Sequence, residues 1–488
     1  MSEKKRFHPL AILIFLLKGI RTWFFLLVLL VINGWISTLY GKLAAAALVL
    51  IIIGSAAANY FSQAYQISSE KIIIYQGIFR KHEIDIPYDR IQTIKQRQWF
   101  FFQPFHVVQL LIETAGGEAG KAEASLPAVA EELVQVIQEY RLQEKTVKEP
   151  ISETVEAKST VTETAPAYVH QITNGQILLF GLTDLSILAA AVTLIAFLYD
   201  FIPDDWLNQA VSTSERLLQA NWIVLLGLGV FLLLILATVS IAKNFLQYYN
   251  FKVSRYGKNL MIESGLLERR VQKIPLQKIQ GIKIRQQVLR RLFGISTVEL
   301  LLAGGQEEEK DISKKLYFLP IVFDQQLFDS LDLLLPEWAF DPPKIRYVSR
   351  KKLWYFWRWI VLVAVPLIGI SYYFNHWLAV GATAIAAILL LFAWLEAHFQ
   401  GYALQTDTRL CVQTFAGFSK VQTFVEQRKI QAFSERTTWR LFPKKIGHVS
   451  FWLKTGTTPE KISLSFIDQS AVAEIKQFFL KEKTINRY

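Results

Sequence analysis

The chain has 488 residues but only one cysteine, Cys411, so an internal disulfide framework is excluded and a reducing compartment fits. Its seven histidines (His8, His82, His106, His170, His376, His398, His448) are scattered, with no pair at metal-ligand spacing and no HExxH or CxxC motif. A zinc site is therefore not expected. There is no GxSxG elbow, no phosphate loop and no GxGxxG following a strand; Gly227-Leu228-Gly229 lies inside a hydrophobic run. The carboxylates Glu83, Asp85 and Asp89 stand close together, but Arg80, Lys81 and Arg90 flank them, as on the solvated face of a strand. These absences leave no catalytic residue, metal ligand or cofactor to assign, and a non-enzyme is expected.

Long stretches also lack charge. Between Thr22 and Tyr40 there is none, and between Leu43 and Phe61 there is none. Hydrophobic residues make up 52% of the chain, and the mean hydropathy is +0.27. Nineteen helical residues reach roughly 28 Å, close to the thickness of a bilayer core. Two further pairs of apolar runs follow, Ile177–Tyr199 with Trp222–Ala242 and Tyr355–Phe374 with Trp377–Leu395. Trp23, Tyr40, Tyr199, Trp222, Trp377 and Trp394 stand near the ends of runs, where interfacial aromatics belong. Six spans in three hairpins are expected. Lys4, Lys5, Arg6, Lys18 and Arg21 precede or open the first span, and Lys344, Arg346, Arg350, Lys351, Lys352 and Arg358 precede or open the fifth. The short connectors after spans three and five are acidic or uncharged, so both termini and the large segments are expected in the cytoplasm.

Those large segments repeat. Gly77, Gly265 and Gly417 occupy matching places, followed after 14, 14 and 13 residues by the Ile of an Ile-Gln pair: Ile91-Gln92, Ile279-Gln280 and Ile430-Gln431. A second glycine (Gly116, Gly304, Gly456) follows each Gln at 24, 24 and 25 residues. A fixed spacing in three copies decides architecture. Each copy reads as β-branched strands, a glycine turn needing positive φ, and a closing amphipathic helix from near Pro127, Asp324 or Asp468, the two aspartates being candidate N-caps. The Ile of each pair is expected in the core, and the Gln with its basic neighbour outside. Residues 143–168 fall outside the repeat and read as a flexible tether.

The stretch "KIPLQKIQGIKIRQQVLRRLFGISTVELLLAGG", 273–305, resembles the membrane-flanked bacterial pleckstrin-homology-like domain. Three such copies over six spans look like the YdbT-type membrane proteins, a likeness covering almost the whole chain. Copy three departs from the pattern: Val425-Glu426 replaces Ile-Pro, and Phe442-Pro443 replaces Phe-Gly. The resemblance implies PH-like β-sandwiches, each with a C-terminal helix, on the cytoplasmic side of a Gram-positive plasma membrane. It also implies a smaller homologous single-domain membrane partner, no enzymatic activity, and a hint of defence against membrane-active peptides and bacteriocins. The expected layout is a first hairpin within 1–62, a PH-like domain at 63–142, a linker at 143–170 and a second hairpin at 171–244. The second domain at 245–340, a third hairpin at 341–398 and a third domain at 399–488 complete it.

Charge separates the copies. Residues 65–117 carry 6 Lys or Arg against 5 Asp or Glu; residues 251–305 carry 11 against 3, and 402–456 carry 9 against 3. Arg269, Arg270, Lys273, Lys278, Lys283 and Arg285 in copy two, with Arg428, Lys429, Lys444 and Lys445 in copy three, are candidates to face anionic headgroups or a partner. The opposing reading is that basic residues gather near spans because topology selects them. Nucleic acid is not expected as a partner, and a homo-oligomer is compatible with the repeat. Within the apolar runs, Asp184 has two readings: an intramembrane polar site on the path of a transporter, or, with span three placed slightly later, a residue at headgroup level, which is the favoured one.

Overall fold

The computed structural model of the chain describes residues 4–480 except 33–34, 79, 115–123, 149–165, 185–221, 304–316, 348–351 and 457. Two compact units are formed: Met1–Pro166, Gln171–Tyr256 and Leu260–Ile274 make one; Ala167–His170, Gly257–Asn259 and Pro275–Tyr488 make the other. The division falls inside copy two.

In the first unit, α1 (Ala11–Ile32) and α2 (Leu39–Ser62) pack as a hairpin. The turn forms because Thr38 leaves the helical region and its hydroxyl accepts from the Gly41 N–H at 3.1 Å, capping α2. Leu30, Leu48 and Ile52 are buried in the seam, and Gly19 lets α1 approach the Ile52 side chain. The first helix starts eleven residues before the charge-free run suggested, taking in Lys18 and Arg21, whose long stems leave their charges free to reach water. Among the described residues, four helices are long and apolar enough to cross a membrane: the stretch Ala11–Val31 of α1, then α2, and the Leu353–Phe374 and His376–Phe399 helices of the second unit. Between copies one and two lie α3 (Glu132–Lys148), α4 (Asn174–Leu182) and the 27-residue α5 (Trp222–Tyr248), whose only charged residue is Lys243. Most of the expected third span and of the tether lies outside the described residues. In α2, Asn59 donates to the Ser55 carbonyl of its own helix at 2.8 Å.

Each copy supplies two three-stranded antiparallel groups. Copy one has β1 (Ala64–Ile67), β2 (Lys71–Gln76) and β3 (His82–Pro87), then β4 (Ile91–Trp99), β5 (Val107–Thr114) and β6 (Ala124–Ala130). After the short β7 (Tyr168–Gln171), copy two has β8 (Lys252–Tyr256), β9 (Asn259–Ser264) and β10 (Glu268–Pro275), then β11 (Ile279–Gln287), β12 (Ile295–Leu302) and β13 (Tyr317–Phe323). Helices α6 (Val288–Leu292) and α7 (Leu327–Leu334) accompany the second group, and β14 (Arg346–Tyr347), α8 (Leu353–Phe374) and α9 (His376–Phe399) follow. Copy three has β15 (Gly401–Thr406), β16 (Arg409–Ala416) and β17 (Ser419–Glu426), then β18 (Ile430–Arg436), β19 (Ile446–Leu453), β20 (Glu460–Asp468) and α10 (Gln469–Leu480).

Copy one closes as a sandwich. Ile72, Ile74 and Ile86 of its first group share one core with Ile91, Leu110 and Ile112 of its second and with Val134 and Ile137 of α3. Copy three repeats the plan with Val412, Val425, Val449, Phe451 and Leu464 beneath Val472, Ile475 and Phe478 of α10. Gly77 and Gly265 have φ of 113° and 108°, and a Cβ on either would collide with a backbone carbonyl three residues on, so only glycine fits. Asp324 does not cap α7; it accepts from Gln286 and Ser296 at 2.6 Å.

The copies are not separate sheets. β10 pairs antiparallel with β4, Glu268 opposite Trp99 through Gln272 opposite Lys95, giving the order β6-β5-β4-β10-β9-β8. β17 pairs in the same way with β11, Gly281 opposite Val425 through Gln287 opposite Ser419, giving β13-β12-β11-β17-β16-β15-β14. The second group of one copy is thus continued by the first group of the next. This covers Gln280, which is buried rather than on an outer face. Ile91 and Ile279 are core residues as expected, whereas Ile430, on the uncovered β18, is half-buried.

Candidate membrane-facing site

The connection that follows the Ile-Gln strand has one design in all three copies. A short helical turn (Gln103–Phe105, α6, Phe442–Lys444) runs into a residue in the left-handed region: His106 at φ 50°, Gly294 at 60°, Lys445 at 54°. Lys445 therefore stands where copy two has Gly294, which corrects the alignment of Phe442-Pro443 with Phe-Gly.

These tips carry large apolar side chains pointed at solvent. Phe100 and Phe105, Leu292 and Phe293, and Trp439 and Phe442 are all more than half exposed, Trp439 and Leu292 reaching 79% and 78%. Each tip also touches the end of an apolar helix in its own unit. The Phe105 ring lies 6.1 Å from that of His8, just before α1. Arg291 sits 5.3 Å from the ring of Phe399, which ends α9. Lys444 Nζ sits 5.6 Å from the ring of Tyr355, in the first turn of α8. Helices as long and apolar as α1, α8 and α9 can reach across a bilayer core, so that their ends meet its interface. An exposed aromatic beside a basic residue has its apolar body and polar partner matched to that interface.

Of the ten basic candidates, Lys444 and Lys445 lie in this setting, exposed beside Trp439 and Phe442, with Arg440 over the Trp439 ring at 4.9 Å. The others are dispersed. Lys283 and Arg285 are not on an open face: they form ion pairs with Glu460 at 2.6 Å and Glu299 at 3.0 Å and are 11% and 17% exposed. The β17–β11 joint encloses them, which a charge count along the sequence does not register. Arg269 pairs with Glu263 and Arg270 with Glu268; Lys273 is exposed and Lys278 half-buried. In copy three Arg428 pairs with Glu426 and Lys429 donates to the Gln277 carbonyl at 3.1 Å. The aromatic tips were missed because isolated aromatics in a β protein read as core; their recurrence just after each Ile-Gln strand was the signal.

Asp184 lies one residue beyond the C-cap of α4, where Asn244 of α5 donates to it at 3.2 Å. Ser240 donates to the Gly181 carbonyl at 2.9 Å, and Gly181 meets the Ile241 backbone so closely that a Cβ would clash. The carboxylate is thus a satisfied helix-end group in a polar clasp. No group of His, Cys, Asp and Glu residues suited to a metal ion occurs among the described residues. Cys411 is buried and its thiol pKa is pushed far up by desolvation, which makes it a core residue rather than a nucleophile.

The sequence matches the bacterial PH domain family over residues 12–145 and 209–321, together just over half of the chain. It is 28% identical over 431 residues to the UPF0699 transmembrane protein YdbT of Bacillus subtilis (strain 168), the match covering 86% of each chain. No solved structure matches. With its glycine-turned sandwich sheets, closing helices and adjoining apolar hairpins, the chain belongs to the bacterial PH domain family.

Proposed function

We propose that the chain is a non-catalytic assembly protein of a Gram-positive plasma membrane. It crosses the membrane six times as three hairpins, with both termini cytoplasmic, and each hairpin carries a PH-like domain. The domains hold one another through continuous sheets and lie along anionic headgroups through their aromatic and basic tips. A smaller homologous single-domain membrane protein is a fitting partner, and envelope maintenance or resistance to membrane-active peptides such as bacteriocins is the role.

The observation that carries this reading is the triple recurrence of an exposed apolar tip beside the end of an apolar helix. A basic residue near an anionic surface adds about 1 kcal/mol, so Arg440, Lys444 and Lys445 supply attraction while Trp439 and Phe442 supply insertion. Its test is growth of a deletion strain across membrane-active peptides, complemented with the intact gene, with Trp439→Ala/Phe442→Ala, or with Lys444→Glu/Lys445→Glu. Sensitivity rescued by the intact gene and not by the tip variants is the expected result. Full rescue by both variants, at equal protein levels, would remove the tips from the function. Asp184→Asn belongs in the same panel: the clasp with Asn244 has a structural role, so this variant is expected to complement, and failure at normal abundance would favour a transporter.

A further inference from the structure

Every internal joint between copies uses the same pair of edges. The last strand of a first group (β10, β17) lies against the Ile-Gln strand of the preceding copy (β4, β11). The registers also coincide. Matching Ile274 with Val425 and Thr93 with Gly281 through the repeat turns the pair Val425–Gly281 into Ile274–Thr93, which continues the run from Glu268–Trp99 to Gln272–Lys95. One docking geometry is therefore written twice. Three copies with two joints leave one edge of each kind: β3 is hydrogen-bonded only to β2, and β18 only to β19, among the described residues. Their burial agrees, since Gln431, Ala432 and Arg436 of β18 and His82, Glu83 and Asp85 of β3 are exposed, whereas Ile279 to Ile282 of β11 are buried.

Charge favours the same match. β3 and the turn after it carry Glu83, Asp85 and Asp89 against Arg90, in the least basic copy, while β18 and the turn before it carry Arg428, Lys429 and Arg436 against Glu435; Asp85 and Arg428 also have partners within the chain, Lys71 and Glu426. Glu435 would stand opposite Glu83, but its carboxylate is already engaged by Lys476 at 3.2 Å and by Gln469 at 2.9 Å. A free edge of unpaired N–H and C=O groups is a template for another strand. Here the complementary template is the other end of the same molecule.

We propose that β18 of one chain docks on β3 of a second copy in the shared register, with Ile86 opposite Ala432, Ile84 opposite Ser434 and His82 opposite Arg436. The contact is head-to-tail, so it generates a closed ring or an open row of chains in the membrane plane. This rests on the assembly reading above and names its partner and surface.

The test uses two differently tagged full-length chains co-produced in one membrane, one bearing a cysteine in β3 and the other a cysteine in β18. Opposed residues alternate between hydrogen-bonded and closer, non-hydrogen-bonded pairs, so two successive pairs are needed, Ile84→Cys with Ser434→Cys and Glu83→Cys with Glu435→Cys. Arg269→Cys/Gln98→Cys and Arg270→Cys/Arg97→Cys, placed across β10 and β4 in single chains, control for oxidation; the native Cys411 is buried. The expected result is a mixed-tag disulfide from one of the two pairs, absent when the β18 cysteine is moved to Trp439. No mixed-tag product while a control forms overturns the proposal. So does a product that forms only when both cysteines are in one chain, or one that captures a separate smaller homologue instead. Co-purification of the two tags without any cross-link would leave the assembly reading intact and sink only the edge; absence of both sinks both.

Discussion

Gly265 and Gly294 both have positive φ, yet they differ in what a side chain would meet. At Gly265, φ is 108° and an added Cβ runs into the Glu268 carbonyl; at Gly294, φ is 60° and the space is open. The equivalents of Gly294 in the other copies are His106 and Lys445, so that position already tolerates side chains. Gly265→Asn is expected to cost about 2 kcal/mol or more, and Gly294→Asn about 1 kcal/mol or less, read as thermal unfolding of detergent-solubilised chain. Equal losses would contradict this. Gly77 and Gly265 were legible in the sequence because a conformation closed to other residues forces the choice, whereas Gly417, at φ 56° in open space, is not forced in this way. Gly294 and Lys445 were misaligned because the left-handed region near 60° admits lysine at modest cost, so no glycine marks it.

His448 gives a second residue-scale prediction. Its ring packs at 4.6 Å against Phe466 and it lies opposite Arg436; burial, aided by the Arg358 charge, lowers its pKa below the ordinary 6.5. The unfolded chain then takes up this proton more readily than the folded one, so stability is full above pH 6.5 and is lost as pH falls through the folded pKa. Unfolding temperatures compared at pH 7.5, 6.5 and 5.5 should fall with acid more steeply in the intact chain than in His448→Gln. Parallel slopes would assign the pH dependence to other groups.

At the scale of elements, the strand content was legible from β-branched runs and glycines, while the joining of copies was not. Edge pairing is made by backbone groups, which every sequence possesses, and its register leaves no side-chain pattern until the partner strand is known. That is why Lys283 and Arg285 read as an open basic face although Glu460 and Glu299 hold them. Ion pairs in the two settings should respond differently to loss of one partner. Glu299→Gln strands Arg285 within the sheet and is expected to destabilise by about 3 kcal/mol. Glu426→Gln removes the partner of Arg428, which is 68% exposed, and should cost about 0.5 kcal/mol or nothing. Denaturant unfolding of the two variants separates these values, and a small loss at Glu299 would mean that water reaches the joint.

At the scale of the whole molecule, the strand joints constrain the topology. β10 of copy two bonds directly to β4 of copy one, and β17 of copy three to β11 of copy two. A sheet edge cannot continue through hydrocarbon, where unpaired backbone groups have no partner, so joined copies occupy the same side of the bilayer. The chain must therefore cross an even number of times between one copy and the next. Helices α8 and α9 meet this between copies two and three, with only Asn375 between them. Between copies one and two the same parity requires an even number of crossings, and the proposed six-span topology supplies two there. The proposed topology takes the common side as cytoplasmic, because basic residues gather around α1 and α8. In intact cells, a membrane-impermeant maleimide should label Asn375→Cys, at the α8–α9 turn, and should reach Phe442→Cys or Phe105→Cys only after permeabilisation. Labelling of Phe105→Cys but not Phe442→Cys in intact cells would place copies one and three on opposite sides, and the joints and the six-span topology would fall together.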